Sequence, residues 1–453
     1  MPQPLVGSFL IVYKRVQIYS FITTETEVKV VSGGIAVIVL LFSACGQGKS
    51  ALYDGSAERY RAATAAEAAA YTAPRMDLEQ LVGQMLILQL RYTRTGGPKR
   101  SLEPEDRALL RQIGPGGVVF FGENMGNIPQ VVTLGRDIQE AAQGSVAGRP
   151  FIAIDQEGGL VSRLHSSGGI PATRIPSARS IGRTGDYRVA EGAGEITGRE
   201  LSSLGIQLNF APVADLSAWQ TDSFIGSRSY GGDPETTAGF VAAFIQGQRS
   251  QGVWSVIKHY PGHGDTTQDS HHQVVEFEAD IGELMDGALV PFIRGIDAGA
   301  AGIMAAHIAY PRVDETGLPA SVSPVLLGGL LRERLGFDGL IVTDALEMRG
   351  LSRVMSPEQA AVQAVLAGAD CILTTEDPLP TRDAIVAAVR TGVISRDRIV
   401  QSVRRILGMK GEMGLLGGIG ITLEEAVTKA EGIIGRPEHK MRLESLISGA
   451  GGI

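Results

Sequence analysis

Four of the seven histidines in this chain fall within residues 259–272: His259, His263, His271 and His272. Imidazoles at this density suggest either a metal site or acid/base chemistry. No His-Glu-x-x-His or comparable helical spacing occurs there, and the stretch is rich in Gly and Thr, which speaks against a zinc site on a helix. It does contain Asp269-Ser270-His271, a carboxylate two residues before an imidazole. A carboxylate can orient a histidine and stabilise its charged form, giving an acid/base that works near neutrality. Gly262 and Gly264 would let the loop move over a substrate.

Other ionisable residues interrupt apolar runs. Asp344 ends Leu340-Ile341-Val342-Thr343. A carboxylate held there suits a nucleophile, but Asp is also a common helix N-cap, and the local sequence leaves both open. Phe151–Ile154 runs into Asp155-Gln156-Glu157-Gly158-Gly159, Ile206–Phe210 is followed by Asp215, Trp254–Ile257 by Lys258-His259, and Gly302–Ala305 by His307.

The elements that position these residues follow from the hydrophobic pattern. Strand-like runs occur at Leu86–Leu90, Gly117–Phe121, Phe151–Asp155, Ile206–Phe210, Trp254–His259, Gly302–Ala305, Leu340–Asp344 and Asp370–Leu373. Helical patterns separate most of them, including Ile128–Ala142, Glu235–Gln251, Ile281–Ala298, Pro324–Leu335, Pro357–Ala367 and Pro380–Arg390. Asp77 and Gln80 form a capping box for a helix through Leu86. Strands alternating with helices imply a parallel sheet. Eight of them over about 340 residues predict an α/β chain folded as a single (β/α)8 barrel of TIM type, whose strand C-termini converge on one polar cup. An open doubly wound sheet is the competing fold, but the first strand–helix turn lacks G-x-G-x-x-G.

The domain expectation is a barrel over 76–412, a leader over 1–45, a flexible tether over 46–75 and a C-terminal appendage over 413–453. The chain has 453 residues, 44% hydrophobic and 20% charged, which excludes a mainly disordered protein. With a net charge of -8 and no long Lys/Arg run, nucleic acid is not an expected partner. Two cysteines, Cys45 and Cys371, cannot form a disulfide scaffold. Cys371 reads as core packing. The apolar run Ile35–Phe42 is too short to span a membrane and has the length of a signal-peptide core. Ser43-Ala44-Cys45 after Leu41 resembles a bacterial lipobox, with Cys45 as the lipid anchor and an extracytoplasmic, membrane-tethered protein as the consequence. Glu25 and Glu27 are odd in a leader, and a start at Val28 would give a compact one. Gly48-Lys49-Ser50 is not a P-loop, because Ser43 stands where its upstream glycine is required.

The histidine loop, Lys258-His259-Tyr260-Pro261-Gly262-His263-Gly264-Asp265-Thr266 with Asp269-Ser270-His271, closely resembles the signature of the β-N-acetylglucosaminidase branch of glycoside hydrolase family 3. Supporting pieces are Ile154–Gly159 with Arg163, Asn209–Asp215, Arg228-Ser229-Tyr230-Gly231, Pro319–Ser323 and Thr343–Met348. The resemblance spans about residues 76–412. It departs at Tyr260 and Tyr230, where Phe is common, and at Thr343, where an Asp is frequent.

The resemblance implies an exo-acting, retaining β-N-acetylhexosaminidase without cofactor or metal. Asp344 would be the nucleophile, His271 the acid/base and Asp269 its partner, a departure from the usual two-carboxylate scheme. Asp155, Arg163, Arg228, Lys258 and His259 would contact the sugar, since carboxylates accept from hydroxyls while Lys, Arg and His donate. The implied substrates are saccharides or muropeptides derived from the cell wall. A β-glucosidase, a phosphorylase of the same family and a non-catalytic sugar-binding lipoprotein are the alternatives.

Overall fold

The computed structural model describes residues 65–142, 147–218, 225–264 and 275–450. Eight strands form its centre: β1 (Leu86–Gln89), β2 (Gly117–Phe120), β3 (Phe151–Ile154), β4 (Leu208–Asn209), β5 (Trp254–Tyr260), β6 (Gly302–Ala305), β7 (Leu340–Thr343) and β8 (Ile372–Leu373). They pair in parallel in the order β7-β6-β5-β4-β3-β2-β1-β8. A further parallel bridge, Val342 to Cys371, joins the two ends of this order. The sheet thus curls into the expected (β/α)8 barrel.

The strands are short and buried on both faces, as a sheet wrapped by helices requires. Their Val, Ile and Leu residues make one continuous core with the inward faces of the helices. Local sequence fixes the helix starts. Asp77 Oδ1 accepts from Gln80 N at 2.7 Å while Gln80 Oε1 accepts from Asp77 N at 3.1 Å, the expected capping box. Ser356 and Gln359 repeat the device for the helix Pro357–Ala367. β5 carries an irregular register between Lys258 and Tyr260, so the strand bends where its polar residues begin.

Two expectations change. The helical pattern over 281–298 is two helices, Ile281–Asp286 and Val290–Asp297, broken at Gly287 and restarted with Pro291 in the first turn. The C-terminal appendage over 413–453 holds two helices, Leu423–Glu431 and Pro437–Ala450, separated by a stretch with Gly435 at φ 67°. Residues 65–72, assigned to the tether, are helical and continue into a single turn at Ala73–Arg75. Ala65, Ala69 and Ala73 are buried there, an i, i+4, i+8 stripe that packs this helix onto the rest of the fold.

Cys371 lies in the core. Cys45 is outside the described residues, as are 1–44 and the tether up to residue 64.

Candidate active site

A cavity of about 510 Å3 opens where the strands end. Asp155 and Asp344 stand one residue beyond the paired parts of β3 and β7. Lys258 and His259 belong to the bent end of β5. Arg228 closes a single turn, Gly226–Arg228. Arg163 follows a small hairpin, Gln156–Gly158 paired with Val161–Ser162, that rises from β3. All six residues line the cavity. Asp269 and His271, by contrast, lie outside the described residues.

The cup is held by a network of opposite charges. Lys258 Nζ lies 2.6 Å from Asp155 Oδ1 and 2.8 Å from Glu157 Oε1. Arg228 grips Glu157 with two bonds, Nε at 2.9 Å and Nη2 at 2.8 Å. The paired geometry fixes the guanidinium plane as well as the charge. Arg163 Nη2 is 3.8 Å from Asp155 Oδ2, a looser contact. Burial alone would raise the Glu157 carboxyl, but Lys258 and Arg228 outweigh it and hold the group well below the usual carboxylate range. Burial would likewise lower the Lys258 ammonium, and Asp155 and Glu157 instead raise it. Both partners therefore stay charged at neutral pH.

Glu157 is the residue that sequence reasoning passed over. It sits two positions after Asp155, on a chain that has just left a strand, and that spacing of two puts both carboxylates on one side. The spacing was the signal. Gly159 shapes the hairpin: its φ is 56°, and a Cβ there would meet Ser177 Cβ at 2.8 Å.

His259 is oriented from below. Its Nδ1 is 2.7 Å from Asp215 Oδ2, and its Nε2 is 3.4 Å from Arg228 Nη2. Asp215 also accepts from the backbone N–H of His259 at 3.1 Å and of His263 at 2.7 Å. Burial opposes the charge on Asp215, yet His259 and His263 keep its carboxyl below the ordinary value. His263 lines the same cavity. Desolvation lowers its imidazole to about 4, so it is neutral at pH 7.

Asp344 faces these groups across the cup. Its Oδ1 accepts from Ala345 N at 2.8 Å, and its own N–H donates to Ala305 O at 3.1 Å, which ties the end of β7 to β6. Burial would raise this carboxyl, but His307, His259 and Lys258 together with the Ala345 N–H hold it below its ordinary value. It is therefore an anion on a rigid mount. His307 has Nδ1 2.7 Å from Ser321 Oγ and Nε2 3.0 Å from Ala345 O. That pairing steadies the backbone next to Asp344.

Such a cup supplies several fixed donors and acceptors, and one carboxylate held apart from the ion-paired cluster. It can orient a polyhydroxylated ring and present a nucleophile to one carbon of it. The barrel and this site define a glycoside hydrolase. The chain belongs to glycosyl hydrolase family 3: the profile of that family's N-terminal domain matches residues 77–409. It is 33% identical over 419 residues to a β-hexosaminidase A from Pseudoalteromonas piscicida, covering 84% of this chain and 67% of that protein. Among solved structures, a family 3 β-N-acetylglucosaminidase from Paenibacillus sp. str. FPU-7 superposes with a TM-score of 0.71 at 36% identity, covering 79% of this chain and 68% of that one. A β-glucoside phosphorylase superposes at 0.72 with 25% identity, covering 84% of this chain and 66% of its own.

Proposed function

We propose that this chain removes terminal β-linked N-acetylglucosamine with retention of configuration, and that its natural substrates are peptidoglycan fragments. The observation that carries the reading is the placement of Asp344. It is an anion across one cavity from Asp155, Arg163, Arg228, Lys258 and His259, a donor and acceptor set that matches the hydroxyls and N-acetyl group of a single terminal sugar.

In the first step Asp344 attacks the anomeric carbon. Oδ1 is engaged by the Ala345 N–H, so Oδ2 forms the new bond. The glycosidic C–O bond breaks, and its oxygen takes a proton from His271. In the second step His271 removes a proton from water, the water oxygen attacks the same carbon, and the ester to Asp344 breaks. Asp269 orients His271 throughout. A histidine fits both roles because its ordinary pKa of about 6.5 lets it give and then take a proton near neutrality. Lys258, Arg228 and Arg163 bind and orient the sugar; Asp155 and Glu157 keep those cations in place.

Acylation of Cys45 would tether the enzyme outside the cytoplasmic membrane, where such fragments are met; mass spectrometry of membrane-extracted protein tests this by the presence of diacylglycerol on Cys45. The function is tested with an aryl β-N-acetylglucosaminide, the matching glucoside and a muropeptide, each with and without phosphate. The expected result is turnover of the N-acetylglucosaminides alone, unaffected by phosphate, and abolished in Asp344→Asn while the fold persists. Near-normal turnover in that variant removes the nucleophile assignment, and a sugar phosphate product makes the enzyme a phosphorylase.

A further inference from the structure

Arg163 is the least restrained charge in the cup. Its one ion-pair contact among the described residues is the 3.8 Å approach to Asp155 Oδ2, and Lys258 takes the same carboxylate more closely, at 2.6 Å. Arg163 Nε is buried and has no hydrogen-bond partner among the described residues. The Phe121 ring, 6.0 Å from Cζ, adds only a weak cation–π contact. Nothing at the guanidinium therefore fixes where it points. Its placement falls to the backbone of the single turn Arg163–His165.

That turn is tied on two sides by one imidazole. His165 Nε2 lies 2.9 Å from Ala172 O, and Nδ1 lies 2.6 Å from Ser162 Oγ. A carbonyl only accepts, so Nε2 donates to it, and in that tautomer Nδ1 accepts from the Ser162 hydroxyl. Ser162 Oγ in turn accepts from Gln156 Nε2 at 2.8 Å. Gln156 is locked to the end of β4 by two bonds with Asn209, each 2.9 Å. On the far side, Thr173 follows Ala172 and donates its N–H at 3.1 Å and its hydroxyl at 2.7 Å to the buried Glu200. Glu200 also accepts from Gly435 N at 3.0 Å. His165 thus bridges two anchored stretches, one on β4 and one held by Glu200, and the turn that carries Arg163 is fastened between them.

We propose that His165 is a positioning residue for sugar binding. It lies outside the lining of the cup and aims Arg163 into it from the other end of the turn. Removing the imidazole cuts both ties at once and leaves the guanidinium no partner strong enough to hold it. The inference rests on the function proposed above for the sugar that Arg163 meets, but not for the placement of Arg163 itself.

The test is a double-mutant cycle on an aryl β-N-acetylglucosaminide. His165→Ala should lower kcat/KM by about ten-fold, the loss expected when one charged hydrogen bond to the sugar is misplaced. The loss should fall mainly on KM, because Arg163 binds the sugar and moves no proton. In an Arg163→Ala background the same substitution should change kcat/KM by less than about two-fold, since the group it aims is gone. Ser162→Ala cuts the same chain one bond earlier. It should give the same pattern, and it carries the cycle where the histidine variant fails to fold. Additive losses overturn the proposal and leave His165 a purely structural residue. Ligand-free crystal structures of wild type and His165→Ala, or Ser162→Ala in its place, read the placement without any substrate. Arg163 should hold one position beside Asp155 in wild type and lose it in the variant, and a guanidinium that stays in place overturns the proposal. If wild type does not turn over the glycoside, the hydrolase reading falls by itself, and this structural comparison still decides the role of His165.

Discussion

Asp215 places Oδ2 2.7 Å from Nδ1 of His259, and the aspartate has no exposed surface. The same carboxylate accepts the backbone N–H groups of His259 and His263, so one buried anion sets both a side chain and the bend at the end of β5. Asp215→Asn keeps the shape and removes the charge. Losing a charged hydrogen bond of this kind costs about 1.5–3 kcal/mol, which is roughly a ten- to hundred-fold fall in kcat/KM if His259 binds the transition state. Kinetics on an aryl β-N-acetylglucosaminide measure it. A variant with wild-type kcat/KM would show that Asp215 does not control the orientation of His259.

His271→Ala should separate substrates by leaving group. An activated aryl glycoside departs without a proton, whereas a disaccharide needs one. The loss in kcat/KM should therefore be at least about ten-fold greater for the disaccharide. Equal losses on the two would remove the acid role from His271.

The depressed carboxyls set the acid side of the pH profile. Glu157, Asp215 and Asp344 are all held below their ordinary values in the folded protein. Unfolded carboxyls titrate near 3.9 for Asp and 4.3 for Glu. The stability these groups contribute is therefore present above those values and is lost only as pH falls through the lower folded ones. Asp344 must be ionised to attack, so the acid limb of kcat/KM should lie below about pH 4. An acid limb with an apparent pKa above 5 in a pH-rate series would contradict the assignment of Asp344.

Much of this site was readable because a barrel puts chemistry where apolar strands stop. Asp155, Lys258-His259 and Asp344 each break an apolar run, and all line one cavity. Glu157 lies in the same motif as Asp155, yet its partner Arg228 is 71 residues away, and an ion pair across that distance leaves no periodic trace. The junction of Glu200 and His439 is less readable still. Oε1 of this buried glutamate accepts from Thr173 Oγ1 at 2.7 Å and from Gly435 N at 3.0 Å, and lies 3.2 Å from His439 Nδ1. This contact fastens the C-terminal segment to the barrel across 239 residues of sequence. Residues 65–73 show the opposite case. An alanine-rich stretch has the composition of a tether, but its buried alanines recur at helical spacing, and composition alone discards that order.

Lys410 gives a prediction of opposite sign to the carboxyls. It is fully buried beneath the barrel, with Nζ 2.7 Å from Gln84 Oε1 and 3.4 Å from Ala147 O, and it pairs with no carboxylate among the described residues. Desolvation lowers its ammonium to about 7. In the unfolded chain a lysine titrates near 10.4. Between these two values the unfolded state binds a proton that the folded state does not, so this residue makes stability rise with pH from about 7 to about 10. Below pH 7 both states are charged and the penalty no longer changes. Lys410→Met removes the buried charge while keeping the length of the side chain. It should stabilise the protein by about 2 kcal/mol at pH 7. At pH 10 the folded lysine is already neutral, and the variant should gain nothing and lose the bond to Gln84. Denaturant unfolding at both pH values measures the difference, and an equal effect of Lys410→Met at pH 7 and pH 10 would show that the buried amine does not titrate between folded and unfolded states.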